Sequence, residues 1–162
     1  MVFGKGSYTP SLYMYGNLLE YVHEYKYLGV TVVAGSTFTT SNLKPLIKFR
    51  SSANTILNTR NRPSEPVQLK LLYSMCVPNI TYASEVLCYS SKQMHMINVA
   101  LNDCLRKIFG YNRWESVRFL RLSSGYPSIT DIFHQRSRRF DARLSTIRND
   151  TLRYLRGLHD AV

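Results

Sequence analysis

The spacing of apolar and polar positions changes once along this chain, from the alternation of strands to the three-and-four spacing of helices. From Tyr8 to Val33 the residues are aromatic, β-branched or alternating. Tyr13 and Tyr15 precede a Gly16-Asn17 turn, Leu18 to Val22 follow it, and Tyr25 to Val33 is rich in Tyr and Val. That pattern predicts a small β unit. Gly35-Ser36-Thr37 breaks it. Beyond the break, Leu43, Leu46, Ile47, Ala53, Ile56 and Leu57 approximate one helical face, with Thr40 or Ser41 as N-cap and Pro45 tolerable in the first turns. This helix is expected to end near Arg62-Pro63.

Ser64 is a good N-cap for a second helix, whose apolar face is Leu69, Leu72, Met75 and Cys76. Pro78 is expected to kink or break it, with Ile80, Tyr82 and Val86 resuming the pattern. Ser90 and Gln93 have capping-box spacing, and Met94, Ile97, Leu101, Leu105 and Ile108 form a stripe that Gly110 stops. Val117, Leu120 and Leu122 predict a short element. Ser128 with Asp131 opens a final helix carrying Ile129, Ile132, Phe133, Phe140, Leu144 and Ile147, which Asn149-Asp150 interrupts before Leu152 and Leu155. The expected fold is mainly α with a small N-terminal β-hairpin unit, a helical bundle in the α+β class.

Composition narrows the function. A chain of 162 residues with 44% hydrophobic content is long enough for one ordinary core. Its formal charge is +11, and the excess lies towards the C-terminus: nine basic against five acidic residues up to position 105, twelve against five after it. A balance of this sign favours polyanion partners. Cys76, Cys88 and Cys104 form no Cys-x-x-Cys pair, which points to a reduced, intracellular protein. The chain has no apolar run of 18 residues and no signal-peptide pattern, so no membrane partner is expected.

Three ordered segments carry a resemblance. Met1-Val2-Phe3, Tyr15-Gly16-Asn17 and Lys26-Tyr27-Leu28-Gly29-Val30 come first, then Val77-Pro78-Asn79-Ile80-Thr81-Tyr82-Ala83-Ser84-Glu85-Val86, then Leu105-Arg106-Lys107-Ile108-Phe109-Gly110. Together they resemble the end of the palm and the thumb of the reverse transcriptases of non-LTR (LINE-type) retrotransposons. The second segment departs from that pattern, with Ala83 where a glycine is common and Leu87-Cys88 where a tryptophan is expected. The resemblance implies a palm-end β unit over 1–35, a helical thumb-like region over 36–125 and a basic C-terminal helix over 126–162. It implies that Lys26, Tyr27, Leu28 and Gly29 form a primer-grip-like hairpin, glycine allowing close approach of backbone to a sugar-phosphate.

Phosphate contact needs only positive charge with reach. Lys44, Lys48 and Arg50 face away from the apolar stripe of their helix, and Arg60 and Arg62 sit near its end. Spacings of three and four put Arg136, Arg139 and Arg143 on one helical face, in a cluster that includes Arg138 and is extended by Arg148, Arg153 and Arg156. Asp141 can pair with one of them. The expected partner is RNA, an RNA–DNA hybrid or a DNA duplex, held through phosphates, and the resemblance adds the palm of a parent polymerase. It also implies a nuclear or cytoplasmic location.

Two-metal nucleotidyl transfer needs paired carboxylates around Mg²⁺. The family carries an adjacent Asp-Asp pair in its palm, whereas Asp103, Asp131, Asp141, Asp150 and Asp160 are isolated here. No catalytic residue is therefore assigned to this chain, and Mg²⁺ is expected only for an intact parent enzyme. His23, His95, His134 and His159 share no local ligand spacing with the cysteines, so no metal site is assigned. Ser84, Glu85, Cys88 and His95 lack the frame of a hydrolase. Two other readings stay open: a non-catalytic basic helical nucleic-acid-binding module unrelated to polymerases, and an interaction protein whose apolar hairpin docks on a partner.

Overall fold

The computed structural model describes residues 10–36, 39–41, 43–87, 89–147, 149 and 151. Met1-Val2-Phe3, Cys88, Arg148, Arg153 and Arg156 lie outside the described residues, as do Asp150, His159, Asp160 and the Leu152 and Leu155 positions. The chain divides into two compact units, Met1–Pro45 and Leu46–Val162. The described residues are mainly helical, with their antiparallel strands in the first unit.

In the first unit, β1 (Tyr13–Met14) pairs with β2 (Asn17–Leu18) across the two-residue turn Tyr15-Gly16. Both turn residues have positive φ, 50° and 80°, the geometry that matches the right-handed twist of paired strands. The turn thus lies one residue earlier than the expected Gly16-Asn17. A second sheet has the order β3 (Glu24–Tyr27), β4 (Val30–Val33), β5 (Thr39–Ser41), all antiparallel. Tyr27 faces Val30 across Leu28-Gly29, again a turn with two positive φ angles, 45° and 84°. Among the described residues β3 has one neighbouring strand, and it is exposed along its length, whereas Thr31 in the central β4 is buried. Thr40 and Ser41 extend this sheet rather than serving only as a cap, although the Ser41 hydroxyl does accept from the Leu43 N–H at 3.4 Å.

α1 (Leu43–Leu57) stops short of Arg62-Pro63. Its buried residues are Leu46, Phe49 and Ala53, spaced three and four apart, while Leu43 and Ile47 are exposed. The fully buried Phe49 therefore replaces Ile47 in the expected stripe. α2 (Glu65–Leu71) runs through a wide π turn, Leu72–Cys76, into α3 (Val77–Thr81). Pro78 lies in the first turn of α3 and, lacking an N–H, cannot donate to a carbonyl of the preceding π turn. The irregularity consequently falls upstream of the proline, and the helix does not resume through Tyr82 and Val86, which are exposed in a turn.

α4 (Ser91–Phe109) is bounded as its sequence predicts. Ser90 accepts from the Gln93 N–H while the Gln93 side chain accepts from the Ser90 N–H, at 3.3 and 2.8 Å. Gly110, with φ 68°, closes the C-terminus. α5 (Arg118–Ser124) is short, and α6 (Ile129–Thr146) opens with the reciprocal Ser128–Asp131 box. One core joins these helices: Leu46, Phe49 and Ala53 of α1, Leu69, Leu72, Cys76, Val77 and Ile80 of the second helical run, Ile97, Leu101, Leu105 and Ile108 of α4, Leu120 and Ile129. Each such large side chain contributes about 1.5–3 kcal/mol when removed from water.

Candidate nucleic-acid interface

α6 carries four arginines, Arg136, Arg138, Arg139 and Arg143, within eight residues. Its N-terminal half is fixed to the core by fully buried Ile129, by Ile132, and by Phe133, whose ring lies 5.1 Å from that of Tyr89. The helix period then carries Arg136, Arg139 and Arg143 together onto one side, where with Ala142 and Glu85 they line a cleft of about 500 Å³. Glu85 pairs with Arg136 at 3.6 Å, and that arginine is half-buried. Arg139 and Arg143 are exposed, so two of the three guanidinium groups face water with no ion pair among the described residues. Arg138 and Arg139 also border a neighbouring cleft with Asp131, His134 and Gln135. The Ser128 hydroxyl and N–H hold the Asp131 carboxyl below the usual carboxylate range.

The other residues singled out from the sequence lie elsewhere. Lys26 and Tyr27 are on the exposed β3, and Leu28 and Gly29 form its turn. The +84° φ of Gly29 accounts for the glycine by itself. Lys44 reaches Glu24 within the same unit, at 3.7 Å. Lys48 is exposed on α1, its carbonyl accepting from the Ser52 hydroxyl at 2.9 Å. Arg62, although exposed, caps a helix. Its guanidinium donates to the Lys107 and Ile108 carbonyls, at 2.5 and 3.4 Å, where the last turn of α4 leaves acceptors open.

A second basic cleft, also about 500 Å³, was not legible as a unit. Arg50 and Asn54 of α1, Asp103, Cys104, Arg106 and Lys107 of α4, and Tyr111 and Arg113 of the following loop line it. Arg106 is tied to Asp103 at 3.1 Å and to the Glu115 carbonyl at 2.9 Å. Burial pushes the Cys104 thiol up to about 12, against the opposing pull of Lys107 and Arg50. The only signal in the sequence is the run of cations on both sides of Gly110; nothing there brings Arg50 to them. Among the described residues no cluster of three or more His, Cys, Asp or Glu is placed to hold a metal, and no helix is long and apolar enough to cross a membrane.

The chain thus joins a helical unit with cationic clefts to a hairpin-bearing β unit. The chain is similar to the RNA-directed DNA polymerase from mobile element jockey of Drosophila funebris, 28% identical over 150 residues. That match covers 90% of this chain and 16% of the relative, so the chain spans about a sixth of that polymerase's length. No family model and no solved structure matches it.

Proposed function

We propose that this chain is the thumb-side part of a retrotransposon reverse transcriptase and grips a primer–template duplex through its phosphates, with the carboxylates for nucleotidyl transfer supplied by another segment. The palm-end unit is read over 1–35, the thumb-like region over 36–125 and the basic helix over 126–162. The observation that carries this reading is the convergence of Arg136, Arg139 and Arg143 on one anchored face with a single acidic partner among the described residues. Similarity to a polymerase supports nucleic acid as the polyanion. The hairpin turn Leu28-Gly29, flanked by Lys26 and Tyr27 on an exposed strand, supplies the primer-side contact in this scheme.

Replacing Arg136, Arg139 and Arg143 by Gln tests the reading. Each duplex phosphate contact contributes about 0.9 to the slope of log affinity against log salt. Arg136 is already engaged by Glu85, so the triple variant is expected to lose about two units of slope. An unchanged slope assigns the face to solvent.

A further inference from the structure

We propose that the cleft between α1, the last turns of α4 and the loop after Gly110 is a separate site for a nucleotide-borne phosphate on a single strand, with the adjoining base against Tyr111. It rests on the previous reading only in taking nucleic acid as the ligand class, and it shares no lining residue with the α6 clefts. Four cations line it: Arg50, Arg106, Lys107 and Arg113. The one acidic lining residue, Asp103, is already paired with Arg106. Arg50, Lys107 and Arg113 form no ion pair among the described residues. Three like charges around one hollow repel each other unless an anion enters.

The hollow is also built rather than incidental. Gly110 turns the chain out of α4, and the Tyr111 N–H donates back to the Arg106 carbonyl at 2.8 Å. The Asn112 N–H and side-chain amide donate to the Glu115 carboxylate at 2.8 and 3.3 Å, and Arg106 binds the Glu115 carbonyl. Tyr111 and Arg113 are thereby presented on a loop whose shape is set before any ligand arrives. A volume of about 500 Å³ suits one nucleotide and not a duplex. An aromatic ring beside cations is the usual platform for a strand whose bases are unpaired.

The full chain is to be photo-cross-linked to a short oligothymidylate carrying a photoreactive uracil, with adducts mapped by mass spectrometry. The expected adduct is on Tyr111. Replacing Arg50, Lys107 and Arg113 by Gln should remove it and lower the single-strand salt slope by about two, at about 0.7 per contact. Tyr111→Ala should weaken binding about tenfold with the slope unchanged. ATP as competitor separates the two sources of such a phosphate: displacement assigns the cleft to free nucleotide, persistence of the adduct to a strand. Adducts confined to other residues, together with an unchanged single-strand slope in the cleft triple variant, overturn the proposal. The α6 triple variant, which fails or succeeds on duplex slope alone, keeps the two readings apart.

Discussion

At the scale of single residues, Ala83 shows how a departure from a family pattern becomes a physical statement. It stands where the resembling polymerases commonly have glycine, and its φ is +55°, in the left-handed region that costs an L-residue about 1–2 kcal/mol. Ala83→Gly is expected to stabilise the chain by about 1 kcal/mol, after the entropy glycine gains in the unfolded state is subtracted. Chemical denaturation of both chains checks it, and a less stable glycine variant would show that the turn is not strained. Acids held protonated by burial set the alkaline limit, Cys104 and Tyr73 the most strongly shifted among them. Burial raises Cys104 from about 9 and Tyr73 from about 10, each to about 12. Both therefore hold their protons more tightly when folded, and stability is full below about pH 9 and falls as pH rises towards 12. Each group contributes up to about 1.4 kcal/mol per pH unit. Denaturation midpoints measured from pH 8 to 11 should decline, and decline less steeply in Cys104→Ala, where the buried Cys76 thiol still titrates from about 9.

At the scale of elements, legibility followed the locality of the signal. Both capping boxes, the α4 stripe and the Gly110 stop depend on residues within one or two turns, and each formed as its spacing implies. Ser90→Ala should accordingly cost about 1 kcal/mol in thermal unfolding experiments. Phe49 was hidden because Ile47 fits an apolar stripe equally well, and only the packing of α1 decides between them. β5 was hidden because Thr39–Ser41 is short and polar, and its place depends on pairing with β4. The α6 arginine face follows from helix period alone. The second cleft does not, since its cations come from α1, α4 and a loop.

At the scale of the whole molecule, the two units differ in how well each covers itself. The helical unit has a shared core, whereas Tyr13, Tyr15, Leu18, Tyr25, Tyr27 and Leu28 of the β unit are all well exposed. Among the described residues β3 also leaves one edge unpaired, able to pair with another chain. The full chain is expected to self-associate at micromolar concentration, and a chain beginning at Leu43 to scatter less light. A monodisperse full chain beside an aggregating shortened one would instead make the β unit part of a self-sufficient domain.

The wide turn Leu72–Cys76 has a consequence for how this chain aligns with others. An extra residue in a helical turn offsets everything after it by about 100° of azimuth. Beyond the turn the buried positions are Val77, Ile80 and Thr81, whereas Tyr82 and Val86, expected to resume the pattern after Pro78, are exposed. A homologue with a regular helix here would keep the same core only by being one residue shorter inside the helix. The correct place for that gap is therefore between Leu71 and Val77, within a helix, where alignment by habit would never open one.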